Sequence, residues 1–234
     1  MKISLRHIAI IPDGNRRWGR SHGYLARPWE AYREGVARFR EVSEAAWEFK
    51  IPYFTFWAAS ENNLKKRRRV EMDFLLTLLK EELERELNSG VFEKYNVRLS
   101  VVGRWRTILK RRKDVIGLID TIEKKTRNFK THRLTVLLGY DGQEEMLEAV
   151  ESLRKSKTSA TGTALTNALW TGELPPVDLV IRTGGEPHWS AGFLMWHTAN
   201  SQLYFPDVLW PEFDHKEFQK ALADYGKRER RFGK

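Results

Sequence analysis

The 234-residue chain has no cysteine. That absence excludes a disulfide framework, a thiolate nucleophile and every cysteine-based metal site, and it fits a reducing compartment. Long apolar runs are missing as well. No stretch approaches the roughly 18 consecutive apolar residues a spanning helix requires. The opening MKISLRHIAII is too short and too charged for a signal peptide. A soluble, cytoplasmic protein is expected. There is no internal repeat and no low-complexity tract. Neither a dinucleotide glycine fingerprint nor a Walker phosphate loop occurs, so two common nucleotide-binding devices are absent.

What the chain has instead is positive charge. Lysine and arginine exceed aspartate and glutamate to give a formal net charge of +10 and a pI near 9.8. Such a charge attracts polyanions: nucleic acid, an acidic membrane surface or phosphorylated small molecules. Nine tryptophans and twelve phenylalanines supply apolar surface beyond the ordinary needs of a core.

Short apolar runs alternate with longer segments of helical period. The runs are Ile8–Ile11, Tyr53–Trp57, Val97–Val102, Leu134–Leu138 and Leu179–Ile181. Helices are expected over 31–49, 71–88, 107–127, 142–156 and 214–226; the second carries Leu75, Leu79, Leu83 and Leu87 at i, i+4 spacing. Strands that are apolar throughout, each followed by a helix, predict an α/β fold. Its single domain, 1–234, would hold a central, mostly parallel sheet flanked by helices. Ligands of such sheets bind beyond the carboxyl ends of the strands.

The residues that follow the strands are therefore informative. Asp13–Gly14–Asn15–Arg16–Arg17 follows the first run and Ala58–Ala59–Ser60–Glu61–Asn62 the second. Gly139–Tyr140–Asp141–Gly142 follows the fourth and Arg182–Thr183–Gly184–Gly185–Glu186 the fifth. Two arginine-bearing glycine loops at one sheet edge suggest two phosphate subsites, because arginine grips phosphate oxygens bidentately and never loses its charge. Asp13 among those arginines invites Mg²⁺, which is usually held by one or two carboxylates plus substrate phosphates.

At these residues the chain resembles the cis-prenyltransferases, the undecaprenyl diphosphate synthase family. The resemblance is carried by HIAIIPDGNRRW (7–18), ASENNLKKR (59–67), VRLSVVG (97–103), LTVLLGYDG (134–142), DLVIRTGGE (178–186), LYFPDVLWPEF (203–213) and RERRFG (228–233). It implies a parallel-sheet α/β domain, a homodimer and a hydrophobic tunnel for the growing tail. The implied chemistry is condensation of an allylic prenyl diphosphate with isopentenyl diphosphate to make a Z double bond, with Mg²⁺ assisting departure of the diphosphate.

By the same resemblance, Asp13 is the metal-associated aspartate, and Gly14, Asn15, Arg16 and Arg17 cradle the allylic diphosphate, with Trp18 packing the loop and Arg27 as a further diphosphate arginine. Glu61 and Asn62 belong to the catalytic SEN motif, and Lys65 or Arg67 stands where the family has an arginine. Arg182 and Ser190 match the isopentenyl diphosphate site. Arg231 and Gly233 match a C-terminal motif that reaches a diphosphate. The leucine stripe 75–87 falls where the family's tunnel is lined.

The chain departs from the family pattern at several positions. Tyr32 stands where a histidine is usual, His188 where the acceptor site has its second arginine, Gln202 where a late metal-associated glutamate is found, and Arg104 where an acid is common. A neutral histidine offers one donor and one acceptor against arginine's rigid fork. These changes open an alternative: a divergent prenyltransferase with an atypical acceptor, such as another allylic diphosphate or a hydroxyl compound. A nucleic-acid-binding reading would rest on the run Lys65–Lys66–Arg67–Arg68–Arg69 and on Lys110–Arg111–Arg112–Lys113. No RRM, KH or helix-turn-helix signature supports it, and no nucleic acid is expected. The basic surface is expected to meet acidic lipid peripherally, where an apolar product leaves.

Overall fold

The computed structural model describes residues 5–228. Six strands form one sheet in the order β3-β4-β2-β1-β5-β6, and every neighbouring pair is parallel. The strands are β1 (His7–Ile11), β2 (Tyr53–Ser60), β3 (Val97–Val102), β4 (His132–Tyr140), β5 (Leu179–Arg182) and β6 (Gln202–Tyr204). The helices are α1 (Asn15–Ser21), α2 (Tyr32–Glu48), α3 (Glu61–Lys66), α4 (Arg69–Ser89), α5 (Val91–Tyr95), α6 (Trp105–Ile108), α7 (Lys113–Thr126), α8 (Gly142–Ser156), α9 (Gly162–Ala168) and α10 (His215–Lys227).

β1 explains why its residues read as apolar throughout: all five are buried, because helices cover both faces of the sheet. Alternate residues serve different cores. Ile8 and Ile10 join Phe54, Phe56, Leu134 and Trp210 in the larger core; Ala9 and Ile11 join Trp57, Leu137, Tyr140 and Phe193 in the smaller.

The short helices α1, α3, α5 and α9 were not expected, and two further features differ from the sequence expectation. The helix expected over 107–127 is broken into α6 and α7. Between them Lys110–Arg111–Arg112–Lys113 packs four like charges into one turn, which a continuous helix would hold at repelling spacings. Arg112 instead turns to Asp114 with two hydrogen bonds of 2.9 Å at the start of α7. β6 was not expected, and its three residues are too few to show a period.

Candidate active site

β1 and β5 are neighbours in the sheet but far apart in the chain, and Ile11 lies opposite Arg182 in their register. Strand order reverses there, which makes a crevice at the carboxyl ends. Thr183 stitches the two following loops together: its hydroxyl accepts from the Asp13 N–H at 2.9 Å and donates to the Asp13 carbonyl at 2.8 Å. Arg182, whose side chain is only 5% exposed, donates from Nη2 to Asp13 Oδ2 at 2.8 Å. Its Nη1 donates to Ser190 Oγ at 2.8 Å and to the His188 carbonyl at 3.1 Å. Arg17 lies 3.5 Å from Asp13 and 3.3 Å from Glu186.

Glycine is required where this cradle is tight. Gly184 has φ +97°, and a Cβ there would lie 2.3 Å from Arg17 Nη2. A Cβ on Gly35 would lie 2.2 Å from Asn15 Oδ1. Three buried polar atoms in the cradle have no hydrogen-bond partner: Asn15 Oδ1, Arg17 Nη2 and Arg182 Nε. Arg182 Nε is buried with no partner and Arg17 Nη2 has only the long 3.5 Å ion pair with Asp13, so the crevice has guanidinium donors free to take an anionic ligand.

The crevice opens into a cavity of about 920 Å³. Its mouth is cationic, with Arg16, Arg17, Arg20, Arg67 and Arg182 in the wall. Its interior is apolar, walled by Phe39, Leu79, Leu83, Leu99, Ile122 and Leu134. Leu75, Leu79 and Leu83 of the predicted stripe face the cavity, while Leu87 packs against the core beside it. A charged head and a hydrocarbon tail would fit this single space together.

Ser60, at the end of β2, caps α3: its hydroxyl accepts from the Asn63 N–H at 3.0 Å. That cap sets Asn62 and Asn63 in the cavity wall. Glu61 is turned away from the cavity. It is buried, paired with Lys65, and bonded by Arg104 Nη1 at 3.2 Å. Burial raises its pKa, but Lys65 and Arg104 outweigh that and hold the carboxyl below the ordinary range. Arg104 also grips Glu144 at 2.9 Å and Glu148 at 2.6 Å. Across the mouth, Tyr32 Oη donates to buried Glu71 at 3.1 Å, and Arg67 Nε lies 3.2 Å from the same carboxylate. Burial raises the Tyr32 pKa, so the hydroxyl stays protonated and donating.

A family profile described as "Putative undecaprenyl diphosphate synthase" matches residues 11–233. The chain belongs to the cis-prenyltransferase family. It is 34% identical to an isoprenyl transferase of Treponema denticola, over 100% of this chain and 99% of that one. It is 37% identical to a ditrans,polycis-undecaprenyl-diphosphate synthase, (2E,6E)-farnesyl-diphosphate specific, of Buchnera aphidicola, over 97% and 90%. Among solved structures it resembles a lavandulyl diphosphate synthase from Lavandula x intermedia in complex with dimethylallyl diphosphate, at TM-score 0.89 and 26% identity over 100% of both chains. It also resembles a "probable undecaprenyl diphosphate synthase" from Campylobacter jejuni, at TM-score 0.78 and 29% identity over 99% of both.

In this cis-prenyltransferase the structure brings together Asp13, Gly14, Asn15, Arg16, Arg17, Tyr32, Asn62, Arg182, His188 and Ser190 around the cavity. Four of the expected residues stand outside the cavity wall. Glu61 does not face the reacting space; its charge is spent on Lys65 and Arg104. Arg27 is 66% exposed and pairs with Glu30 at 3.0 Å, outside the cavity wall. Trp18 is outside it too, stacked on His22 at 4.0 Å between ring centroids. Gln202 opens β6 opposite Leu179, at the strands' amino ends and away from the Asp13 crevice of its own chain. Arg231 and Gly233 lie outside the described residues. Of the pair left open, Arg67 reaches the cavity and Lys65 does not. Arg20 and Asn63 were missed; Arg20 could have been found, since it falls one helical turn after Arg16.

Among the described residues no three acidic or histidine side chains gather as a metal site. Instead Asp13, already paired with Arg182 and Arg17, stands at the crevice, with Asp141 also in the cavity wall and Arg182 Nε buried without a hydrogen-bond partner. That donor set fits a Mg²⁺ ion completed by substrate phosphates rather than an all-protein cage.

Proposed function

We propose that this cis-prenyltransferase ionises an allylic prenyl diphosphate in the Asp13–Arg17 cradle and transfers the prenyl group to isopentenyl diphosphate at Arg182 and Ser190, giving Z-prenyl diphosphates. The observation that carries the reading is the continuity of the cationic mouth with the apolar tunnel. In the reaction the donor's C–O bond breaks and its electron pair leaves on the diphosphate. The acceptor's alkene electrons form the new C–C bond, and a proton lost from the acceptor restores a double bond. Arg16, Arg17 and Arg182 stabilise the charge that develops on the leaving diphosphate, because they are fixed before it appears. The Asp13–Arg182 pair ties the two subsites to one geometry. Bound Mg²⁺, held by Asp13, would supply further neutralisation of that charge. The tunnel takes the hydrocarbon tail away from water.

A second reading has its own support. Arg182 is the permanent cation beside Ser190, while His188 puts its backbone carbonyl on Arg182 and its ring 3.3 Å from Ser190 Oγ. A weaker cationic acceptor subsite suits an acceptor other than isopentenyl diphosphate, such as a second allylic diphosphate. The lavandulyl diphosphate synthase of similar fold was solved with a five-carbon allylic diphosphate. A homodimer, a cytoplasmic site and peripheral contact with acidic lipid complete the proposal. The exposed Leu203 on edge strand β6 supports a pairing face, and among the described residues no helix is long and apolar enough to cross a membrane.

The test is product analysis by mass spectrometry after incubation with Mg²⁺ and an allylic diphosphate, with and without isopentenyl diphosphate. Z-prenyl diphosphates that require isopentenyl diphosphate support the first reading. A condensed product from the allylic diphosphate alone supports the second. Unreacted substrate in both arms would falsify both.

A further inference from the structure

Two glutamates stand one turn apart in the wall of an otherwise apolar tunnel. They are Glu82 and Glu86, in the carboxyl-terminal half of α4. α4 begins beside Arg67 at the mouth. At a rise of about 1.5 Å per residue, Glu86 lies about 25 Å along the helix from its first residue. The pair is thus deep in the tail-binding space, in a wall shared with Leu83, Phe92 and Leu99.

The two carboxyls are linked. Glu82 Oε2 accepts from Arg40 Nη1 of α2 at 2.6 Å. Glu82 Oε1 is buried with no hydrogen-bond partner, and Glu86 lies one turn further along the same helix. Burial, then the charge of Glu82 and a hydrogen bond with it, push the Glu86 carboxyl up to about 7. Ser89 Oγ, 3.4 Å from Glu86 Oε2, and then the charge of Arg40 on α2 act in the other direction. Charged groups on the other packed elements are engaged elsewhere. Glu44 and Glu48 of α2 act on Lys94 of α5. Lys125 of α7 is held by Glu93 of α5 and by the Leu87 carbonyl.

We propose that the Glu82–Glu86 pair is a length-limiting collar that stops the hydrocarbon tail by charge rather than by bulk. The inference rests on reading the tunnel as the tail site. Each methylene buried in the apolar stretch improves affinity about fourfold. A methylene that reaches the pair gains nothing, because it strips water from an ionised carboxylate. With one proton shared, the pair's single charge is offset by Arg40. Once that proton leaves, a second negative charge has no partner. Long tails are therefore excluded more strongly as pH rises through neutrality.

The collar is tested with a ladder of n-alkyl diphosphates of increasing length, bound to the full-length enzyme and followed by calorimetry at pH 6 and pH 8. In the wild type, affinity should climb about fourfold per methylene to a break point and then level off, with the break point at a shorter chain at pH 8. The Glu82→Gln/Glu86→Gln variant keeps the size of both side chains and removes their charge. Its affinity should keep climbing past the wild-type break point, equally at both pH values. Glu86→Gln alone should abolish the pH dependence, and matching circular dichroism spectra check that each variant is folded. An identical break point in wild type and double variant at both pH values overturns the collar. Ionisation of the diphosphate moves every rung together and leaves the break point in place. Arg17→Ala separates the premises: unchanged ladder affinity there would refute the diphosphate cradle, while the break point still reports on the glutamates.

Discussion

Arg17 is held in place by what is missing opposite it. Gly184 leaves 2.3 Å between a notional Cβ and Arg17 Nη2, so Gly184→Ala must push the guanidinium out of the cradle. The neighbour is the far end of a flexible side chain, so the fold should survive, with about 1–2 kcal/mol lost to the left-handed backbone. Losing one fixed cation should cut kcat/KM for the allylic diphosphate about 100-fold. A variant with wild-type kinetics would show that Arg17 does not bind the donor. Arg104 gives a different signature. It touches no cavity residue but holds Glu61 at 3.2 Å, and through Glu61 the start of α3 with Asn62. Arg104→Ala should lower kcat about tenfold with little change in KM, and Arg104→Lys should restore part of it. Equal losses in both parameters would remove its positioning role. The site was legible in the sequence where chemistry and position coincide, as in Asp13–Arg17. It was not legible where direction decides. Glu61 and Asn62 are adjacent, yet the helix turns one to Arg104 and the other to the cavity. The i, i+4 pair Glu61–Lys65 was the available hint that Glu61 was already engaged.

Elements that bury apolar stripes were readable, because burial imposes a period. Five of the six strands and the long helices α2, α4, α8 and α10 coincide with apolar runs or stripes. α1 escaped notice because NRRWGRS has no apolar stripe; its residues face a ligand crevice and solvent rather than a core. β6 escaped because an edge strand of three residues holds its place by pairing with β5, not by pattern. α4 carries more than its period showed. Its leucines are core on one side and tunnel wall on the other, and the spacing alone does not distinguish the two. Leu79 tests the difference. It is half-buried and lines the tunnel, so Leu79→Trp adds bulk to open space rather than overpacking a closed core. Stability should change by less than about 1.5 kcal/mol, while the longest product, read by mass spectrometry, becomes shorter and the first condensation keeps its rate. A fall in thermal stability with unchanged product length would return Leu79 to the core.

The centre of the sheet is tied at its amino edge by a histidine of β1. His7 is fully buried. Its Nδ1–H donates to the Pro175 carbonyl at 2.9 Å, which leaves Nε2 to accept from the Thr55 hydroxyl at 2.8 Å. The ring thus joins β1 to β2 and to the segment before β5, and the geometry specifies the neutral tautomer. Burial lowers its pKa from 6.5 to about 4, with His197 adding to the effect. The unfolded chain therefore binds a proton between those values that the folded one refuses. Its contribution is complete above pH 6.5 and is lost progressively as pH falls toward 4. The loss is about 3 kcal/mol at 1.36 kcal/mol per pKa unit. His7→Gln should be less stable than wild type at pH 7, since it loses both hydrogen bonds. It does not pay that proton penalty, so the gap between the two proteins should narrow by about 3 kcal/mol between pH 7 and pH 4. The gap is the quantity to measure, by urea unfolding across that range, because carboxylates such as Asp114 titrate alike in both proteins. A gap that stays constant with pH would mean that the ring is not held neutral, and that the tie between β1, β2 and the β5 approach is not what acid breaks first.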